Sequence, residues 1–302
     1  MSSNQIYLLT FAASLLISAV SFADSQVHGS VTLGLEYDSN VAVDELDRSS
    51  NLSDTGRLYG AELEVAHDFN ENISGKLLYN FDAVNYAEFS ALNRLTHTAG
   101  VRLSADLQKF NLDTSYFFTN TQLDGNKFLT YHRFSPSISG FTSKRWFFRA
   151  AYVYGDKSIE RRPGRDATSH GIESDGYYFW RGLRRYFNLG YTYRDENSRA
   201  DRFTYNGHLL KLRAVQRFIL KSGARSTLDF SIRFEQRDYQ GVSPSIGEPR
   251  YDNRLRVILK HEYPITSKVT WSIYSDYSDY RSNLPSADYD QFILGTEFEW
   301  QF

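Results

Sequence analysis

The chain has 302 residues, a formal net charge of −2, no cysteine and a single methionine. Without cysteine it carries neither a disulfide, nor a thiolate metal site, nor the lipid anchor of a lipoprotein, and its near-neutral charge gives no footprint for nucleic acid. Aromatic residues make up 16%, with 22 Tyr and 22 Phe, beyond what a soluble core of this size needs, while a mean hydropathy of −0.49 argues against a bundle of apolar helices.

Taken in order, Ile6 to Val20 is largely apolar, and Ser21-Phe22-Ala23 sets small residues before a cut ahead of Asp24. That run is shorter than the roughly 20 residues a helix needs to span a bilayer. The pattern predicts a cleaved signal peptide over 1–23, although no Lys or Arg precedes the apolar run. Residues 24–302 then form one mature domain.

From there the chain alternates. Side chains point to opposite faces of a strand, so a period of two marks a half-buried ribbon. Strand one, Val27 to Asp38, sets Val27, Val31, Leu33, Leu35 and Tyr37 against His28, Ser30, Thr32, Glu36 and Asp38. A long polar loop, Ser39 to Gly56, follows. Strand two, about 57–67, opposes Tyr59, Ala61, Leu63 and Val65 to Glu62 and Glu64. Strand three, 73–84, carries Ile73, Leu77, Tyr79 and Phe81 against Lys76, Asn80 and Asp82. Further strands are expected at about 94–106, 110–119, 127–135, 144–155, 176–184, 186–195, 202–218, 226–238, 251–263 and 269–279. A long loop, Asp156 to Asp175, contains the charged run Glu160 to Asp166, a surface cluster suited to lipopolysaccharide phosphates. In 127–135 and 176–184 neither face stands out, so the count is fourteen, or twelve if those segments leave the wall.

The closing strand is the clearest. Phe292, Leu294, Thr296, Phe298, Trp300 and Phe302 alternate with Gln291, Ile293, Gly295, Glu297, Glu299 and Gln301. It resembles the last strand of bacterial outer-membrane barrels, and the resemblance implies that Phe298, Trp300 and Phe302 are read by the barrel-insertion machinery. Connections that mostly alternate long and short agree with short periplasmic turns and longer extracellular loops. The expected fold is therefore all-β, a transmembrane antiparallel up-and-down β-barrel in the outer membrane of a Gram-negative bacterium, in contact with lipid and lipopolysaccharide.

If the apolar face meets lipid, the other face lines a lumen. Strands one, two and fourteen, neighbours on closure, would contribute the acids Glu36, Asp38, Glu62, Glu64, Glu297 and Glu299. Strands seven and ten to twelve would contribute the bases Arg145, Arg149, Lys211, Arg213, Arg217, Arg233, Arg237, Arg254, Arg256 and Lys260, with Asp229 and Glu235 interrupting them. Such a division sets a transverse field across a water-filled channel; the alternative is a salt-bridged network filling the lumen. Fourteen strands fall between about eight, which side chains fill, and about sixteen, which leave an aqueous pore.

No enzymatic constellation stands out. The seven histidines are scattered, and Thr168-Ser169-His170, expected in a loop, lacks a supporting acid. Asp276 and Asp279 are expected as solvated strand-end residues, and no spacing suits a metal or cofactor.

Two stretches resemble a known family. Leu35-Glu36-Tyr37-Asp38-Ser39-Asn40-Val41, and Arg281-Ser282-Asn283-Leu284-Pro285 followed by Asp288-Tyr289-Asp290, are similar to the C-terminal barrel of surface lipoprotein assembly modifiers and to barrels found with exopolysaccharide export. The resemblance implies a conduit for an exported lipoprotein or glycan. A general or charge-selective porin for small hydrophilic solutes is the alternative, with an outer-membrane hydrolase or a loop-based adhesin as lesser ones. The family places helical repeats before its barrel, whereas strand one here begins within a few residues of the expected cut.

Overall fold

The structure, a computed structural model, describes residues 25–302; the expected signal peptide, 1–23, lies outside the described residues. Fourteen antiparallel strands close into one barrel, each paired with its neighbour in sequence and the last with the first. They are β1 Ser25–Asp38, β2 Asp54–Asn70, β3 Ile73–Tyr86, β4 Arg94–Asp106 and β5 Asn111–Leu123. Then come β6 Asn126–Phe141, β7 Trp146–Ile159, β8 Ala167–Leu183, β9 Arg185–Ser198 and β10 Tyr205–Ile219. The wall finishes with β11 Arg225–Ser243, β12 Glu248–Pro264, β13 Val269–Ser282 and β14 Tyr289–Gln301. Closure leaves no unpaired edge in the wall, the condition for strands to cross hydrocarbon.

Register sets the faces. Val31 lies opposite Trp300, Leu33 opposite Phe298 and Tyr37 opposite Leu294, all outward; Thr32 opposite Glu299 and Glu36 opposite Gly295 point inward. The outward rows are apolar and exposed all round, from Val27, Leu33 and Leu77 through Leu103, Ile172 and Leu212 to Leu294 and Trp300. At the seam Phe302 and Gly29 exchange backbone hydrogen bonds of 2.9 and 3.2 Å, and the Phe302 ring lies where a side chain at Gly29 would stand.

Connections at 71–72, 107–110, 142–145, 184, 220–224 and 265–268 share an end with Ser25 and Phe302; those at 39–53, 87–93, 124–125, 160–166, 199–204, 244–247 and 283–288 share the other. By length the first end is the periplasmic one. Several strands reach further than their hydropathy suggests. β8 starts at Ala167 and not at 176, which shrinks the expected loop to 160–166. β6 runs through Pro136, which has no N–H to give, and its ladder with β7 skips Ser135 and Pro136 before resuming in the same register at Ser137 and Ala151. The β5–β6 turn is Asp124-Gly125, both at positive φ (50° and 70°), as a two-residue hairpin turn requires.

The two ambiguous segments are wall strands. β8 carries Tyr178 and Trp180 outward but also Tyr177 and Phe179 inward, where Tyr177 meets Phe147 (5.8 Å) and Phe179 meets Tyr186 (5.7 Å). Aromatic residues on both faces erase the period of two. In β6 a register shift opposite Thr121 and Gln122 adds a residue, and Phe128 there is buried against the first loop.

The outer face shows a recurrence hidden in the sequence. Tyr79 and His97 (2.8 Å), Tyr116 and His132 (2.7 Å), Tyr152 and His170 (2.5 Å), and Tyr191 and His208 (2.8 Å) each join an odd strand to the following even one. A second ring two residues after each Tyr (Phe81, Phe118, Tyr154 and Tyr193) packs on the same imidazole at 5.1–5.4 Å between centroids. A ring nitrogen on the lipid side has no water to satisfy it, and the tyrosine hydroxyl does so.

Candidate functional site: the lumen and the loop across it

All six acids of the seam set lie on inward rows of β1, β2 and β14. Tyr274 donates to Glu36 (2.9 Å) by leaning over Gly295, where a Cβ would meet its ring at 2.2 Å. Gln291 donates to both oxygens of Asp38 (2.9 Å each), and Lys76 pairs with Glu64 at 2.6 Å.

Nine of the ten expected bases point inward; Arg145 does not belong with them, because it sits in the exposed 142–145 turn before β7 begins at Trp146. Nor is the arc a free positive surface. Arg149 meets Glu173 (3.3 Å) and Asp175 (3.5 Å), and Lys211 meets Asp175 at 3.2 Å. Arg213 chelates Asp229, Arg237 grips Glu235 at 2.9 Å, and Lys260 reaches Glu297 at 3.6 Å. Arg256 pairs with Asp276 at 2.5 Å. Asp276 is thus a buried lumen residue and not a solvated strand end, while Asp279 faces outward and pairs with Arg281 (2.7 Å). Arg149, Arg213 and Arg256 find their acids on the adjacent strand, where inward residues stand side by side. Lys211 and Lys260 reach across one strand, Arg237 pairs two residues along its own, and Arg217 meets the Leu183 carbonyl at 2.7 Å. Arg233 is different: it lies opposite Arg256 and has no ion-pair partner among the described residues.

Thr168-Ser169-His170 lies in β8, not in a loop. Ser169 is buried on the inner face and His170 points outward to Tyr152, so the wall separates them.

The residues that sequence reasoning missed belong to the first loop, 39–53. Asp38 and Asn40 anchor its start: the Asn40 amide nitrogen donates to Asp38 (2.9 Å), and its side chain bonds the Asp290 carbonyl (2.9 Å) and receives the Asn51 N–H (2.8 Å). The two family-like stretches therefore meet at one corner of the rim. Beyond it a hairpin, Ala42–Val43 with Arg48–Ser49, carries a turn that runs across the mouth. Val43 packs on Phe128 and Ile159, from strands far round the barrel, with Leu46, Leu92, Leu123 and Leu129 about them. Val41 is 1% exposed. The spacing Val41, Val43, Leu46 inside a polar stretch was the available signal.

Polar contacts hold the tip. Asp47 pairs with Arg165 at 2.7 Å and with Arg250 at 2.8 Å, while Arg165 also donates to the Glu45 carbonyl at 3.0 Å. Burial would raise the Asp47 carboxyl, but the Arg250 and Arg165 guanidiniums outweigh it and hold it below the usual carboxylate range. Below the loop, guanidiniums lie on tyrosine faces: Arg237 on Tyr205 (5.0 Å), Arg250 on Tyr239 (4.6 Å) and Arg254 on Tyr280 (4.9 Å). The arrangement is a polar, ion-paired passage narrowed from the loop end by a strap with an apolar anchor and a charged tip.

No protein-family model matches the chain, and no curated protein matches its sequence. Solved structures do. OmpT, an outer membrane protein of Vibrio cholerae in its trimer form, superposes with a TM-score of 0.56 at 10% identity, over 92% of this chain and 100% of that one. An anion-selective porin from Comamonas acidovorans superposes at 0.55 with 7% identity, over 92% of this chain and 99% of that one. At such identities the likeness establishes the fold, that of outer-membrane β-barrels.

Proposed function

We propose that this protein resides in the outer membrane as a non-enzymatic conduit for small hydrophilic solutes, with its first loop as the constriction. The observation that carries the reading is the strap itself: a loop anchored at the β1–β14 seam and pinned on the opposite wall narrows a lumen lined by charged and polar side chains. A passage so narrowed suits small solutes better than a folded polypeptide. Lipid and lipopolysaccharide surround the wall, and Phe298, Trp300 and Phe302 present the closing strand to the insertion machinery.

Planar-bilayer recording tests this. Purified protein should give discrete conductance steps; their absence from well-folded material overturns the reading. Arg233→Glu is the informative variant, since Arg233 has no carboxylate to lose, and it should move the reversal potential in a salt gradient toward cations. Arg254→Glu is a poorer choice, because it would set a third acid beside Asp252 and Asp47.

A second reading, surface export of a lipoprotein or glycan, draws support from the way the Asp38–Asn40 and Asp290–Phe292 stretches converge. Gene deletion followed by surface labelling of lipoproteins distinguishes it: unchanged display removes this reading and leaves the first intact.

A further inference from the structure

Under the strap lies a half-enclosed cavity of about 290 Å³. Five cations line it against three carboxylates. Most of the charge is already committed: Lys157 to Glu196 (2.5 Å), Arg165 to Asp47, Arg237 to Glu235, and Arg254 to Asp252 (3.1 Å). Arg194 is the exception. Its one hydrogen bond is to the Tyr205 hydroxyl, at 3.4 Å, and it has no carboxylate partner among the described residues. Arg254, 7% exposed, uses an Nη to reach Asp252 and leaves its Nε buried with no acceptor.

A half-buried guanidinium with no carboxylate in direct contact is costly. Native proteins place such groups where something else completes them. Here Arg194 lies on the wall of the cavity, with Tyr131 and Tyr239 also lining it. Glu45, the lining carboxylate with no ion-pair partner among the described residues, is carried by the strap and not by the barrel.

We infer that this cavity is a binding site for a compact oxyanion, a small carboxylate or phosphate, held by Arg194 while the strap is closed over it. This deepens the conduit reading by naming the solute class. The fork of Arg194 suits two oxygens of one carboxylate or phosphate group. The cavity volume limits the solute to a few heavy atoms around that group, at the low end of small-molecule pockets. Glu45 repels the anion, so the strap closes less readily on a loaded site than a neutral loop would.

The test is calorimetric titration of the detergent-solubilised full chain with succinate and, separately, with inorganic phosphate. Saturable binding of at least one probe is expected, and which one binds separates carboxylate from phosphate solutes. Arg194→Gln should weaken binding roughly tenfold or more, the loss of a charge-assisted pair. Arg194→Lys should recover only part of it, and Glu45→Gln should tighten it. If Arg194→Gln fails to fold, Tyr131→Phe and Glu45→Gln leave the wall's ion pairs intact, and Glu45→Gln alone still has to tighten binding. No saturable binding of either probe, or equal affinity in wild type, Arg194→Gln and Glu45→Gln, overturns the proposal. Conductance in plain potassium chloride is measured on the same preparations. Steps without oxyanion binding sink the site and keep the conduit; binding without steps does the reverse.

Discussion

Replacing Asp47 by alanine removes the tether of the strap while leaving the barrel wall untouched. Two guanidiniums converge on that carboxylate, at 2.7 and 2.8 Å. Breaking a buried pair by deleting one partner costs about 3–5 kcal/mol. The loss here is smaller, because Arg250 keeps Asp252 at 2.7 Å and Arg165 keeps the Glu45 carbonyl. A charge-assisted bond retained on each side leaves roughly 2–3 kcal/mol acting on closure. That converts to roughly a 30- to 150-fold shift of the closed-to-open ratio, at about 1.4 kcal/mol per tenfold. The assay is the open fraction of single channels in planar bilayers, with wild type and Asp47→Ala side by side. pH supplies a second axis. The carboxyl lies below its usual range only when the strap is closed, so closure is favoured above the usual carboxylate pKa and is lost as pH falls through the lowered value. Acid should therefore open the wild type and leave Asp47→Ala nearly unmoved. Equal open fractions at neutral pH, together with parallel acid responses, would refute the reasoning.

Other outcomes follow from the wall. Gly295→Val puts a Cβ into the Tyr274 ring and breaks its bond to Glu36; a loss of about 1–3 kcal/mol is expected, read as a lower temperature for converting the folded gel band to the unfolded one. Asp276→Asn leaves Arg256 beside Arg233 with one fewer carboxylate. It should raise anion preference in reversal-potential measurements and lower stability by about 2–4 kcal/mol, and unchanged selectivity would argue that these arginines lie off the solute's path. Tyr116→Phe deprives His132 of its hydroxyl partner and should cost about 1 kcal/mol in the same gel assay. The equivalent changes at Tyr79, Tyr152 and Tyr191 should match it, since the four clasps share one geometry.

How far the sequence speaks depends on what each feature is made of. Where lipid faces one side of a strand and charge the other, as from Leu33 to Asp38 or Phe292 to Trp300, alternation alone reveals both strand and facing. In β8 the signal fails for a physical reason: Tyr177 and Phe179 stack inside the barrel while Tyr178 and Trp180 face out. Pro136 misleads in the other direction. It reads as a turn, yet the wall tolerates it by giving up ladder bonds to one neighbour.

The inward placement of the acidic and basic sets could be read from the same period of two, but their pairing across strands could not. Glu235 with Arg237 and Asp252 with Arg254 are neighbours on one face of a single strand, whereas Asp175, Asp229 and Asp276 are ordinary inward carboxylates until register sets them beside Arg149, Arg213 and Arg256. Closure does the same for the first loop. Asp47 looks like one more polar loop residue until the ring of strands brings Arg165 and Arg250 within reach of it.

By itself, then, the sequence determined that this chain forms a closed wall of strands with an apolar outside and a charged inside, because a period of two is local and needs no partner to be seen. Only the tertiary structure decided which charges cancel, which guanidiniums stay unanswered, and that residues 39–53 cross the mouth. Apart from the pairs two residues along one strand, those are distances between residues up to about two hundred positions apart, and nothing local encodes them.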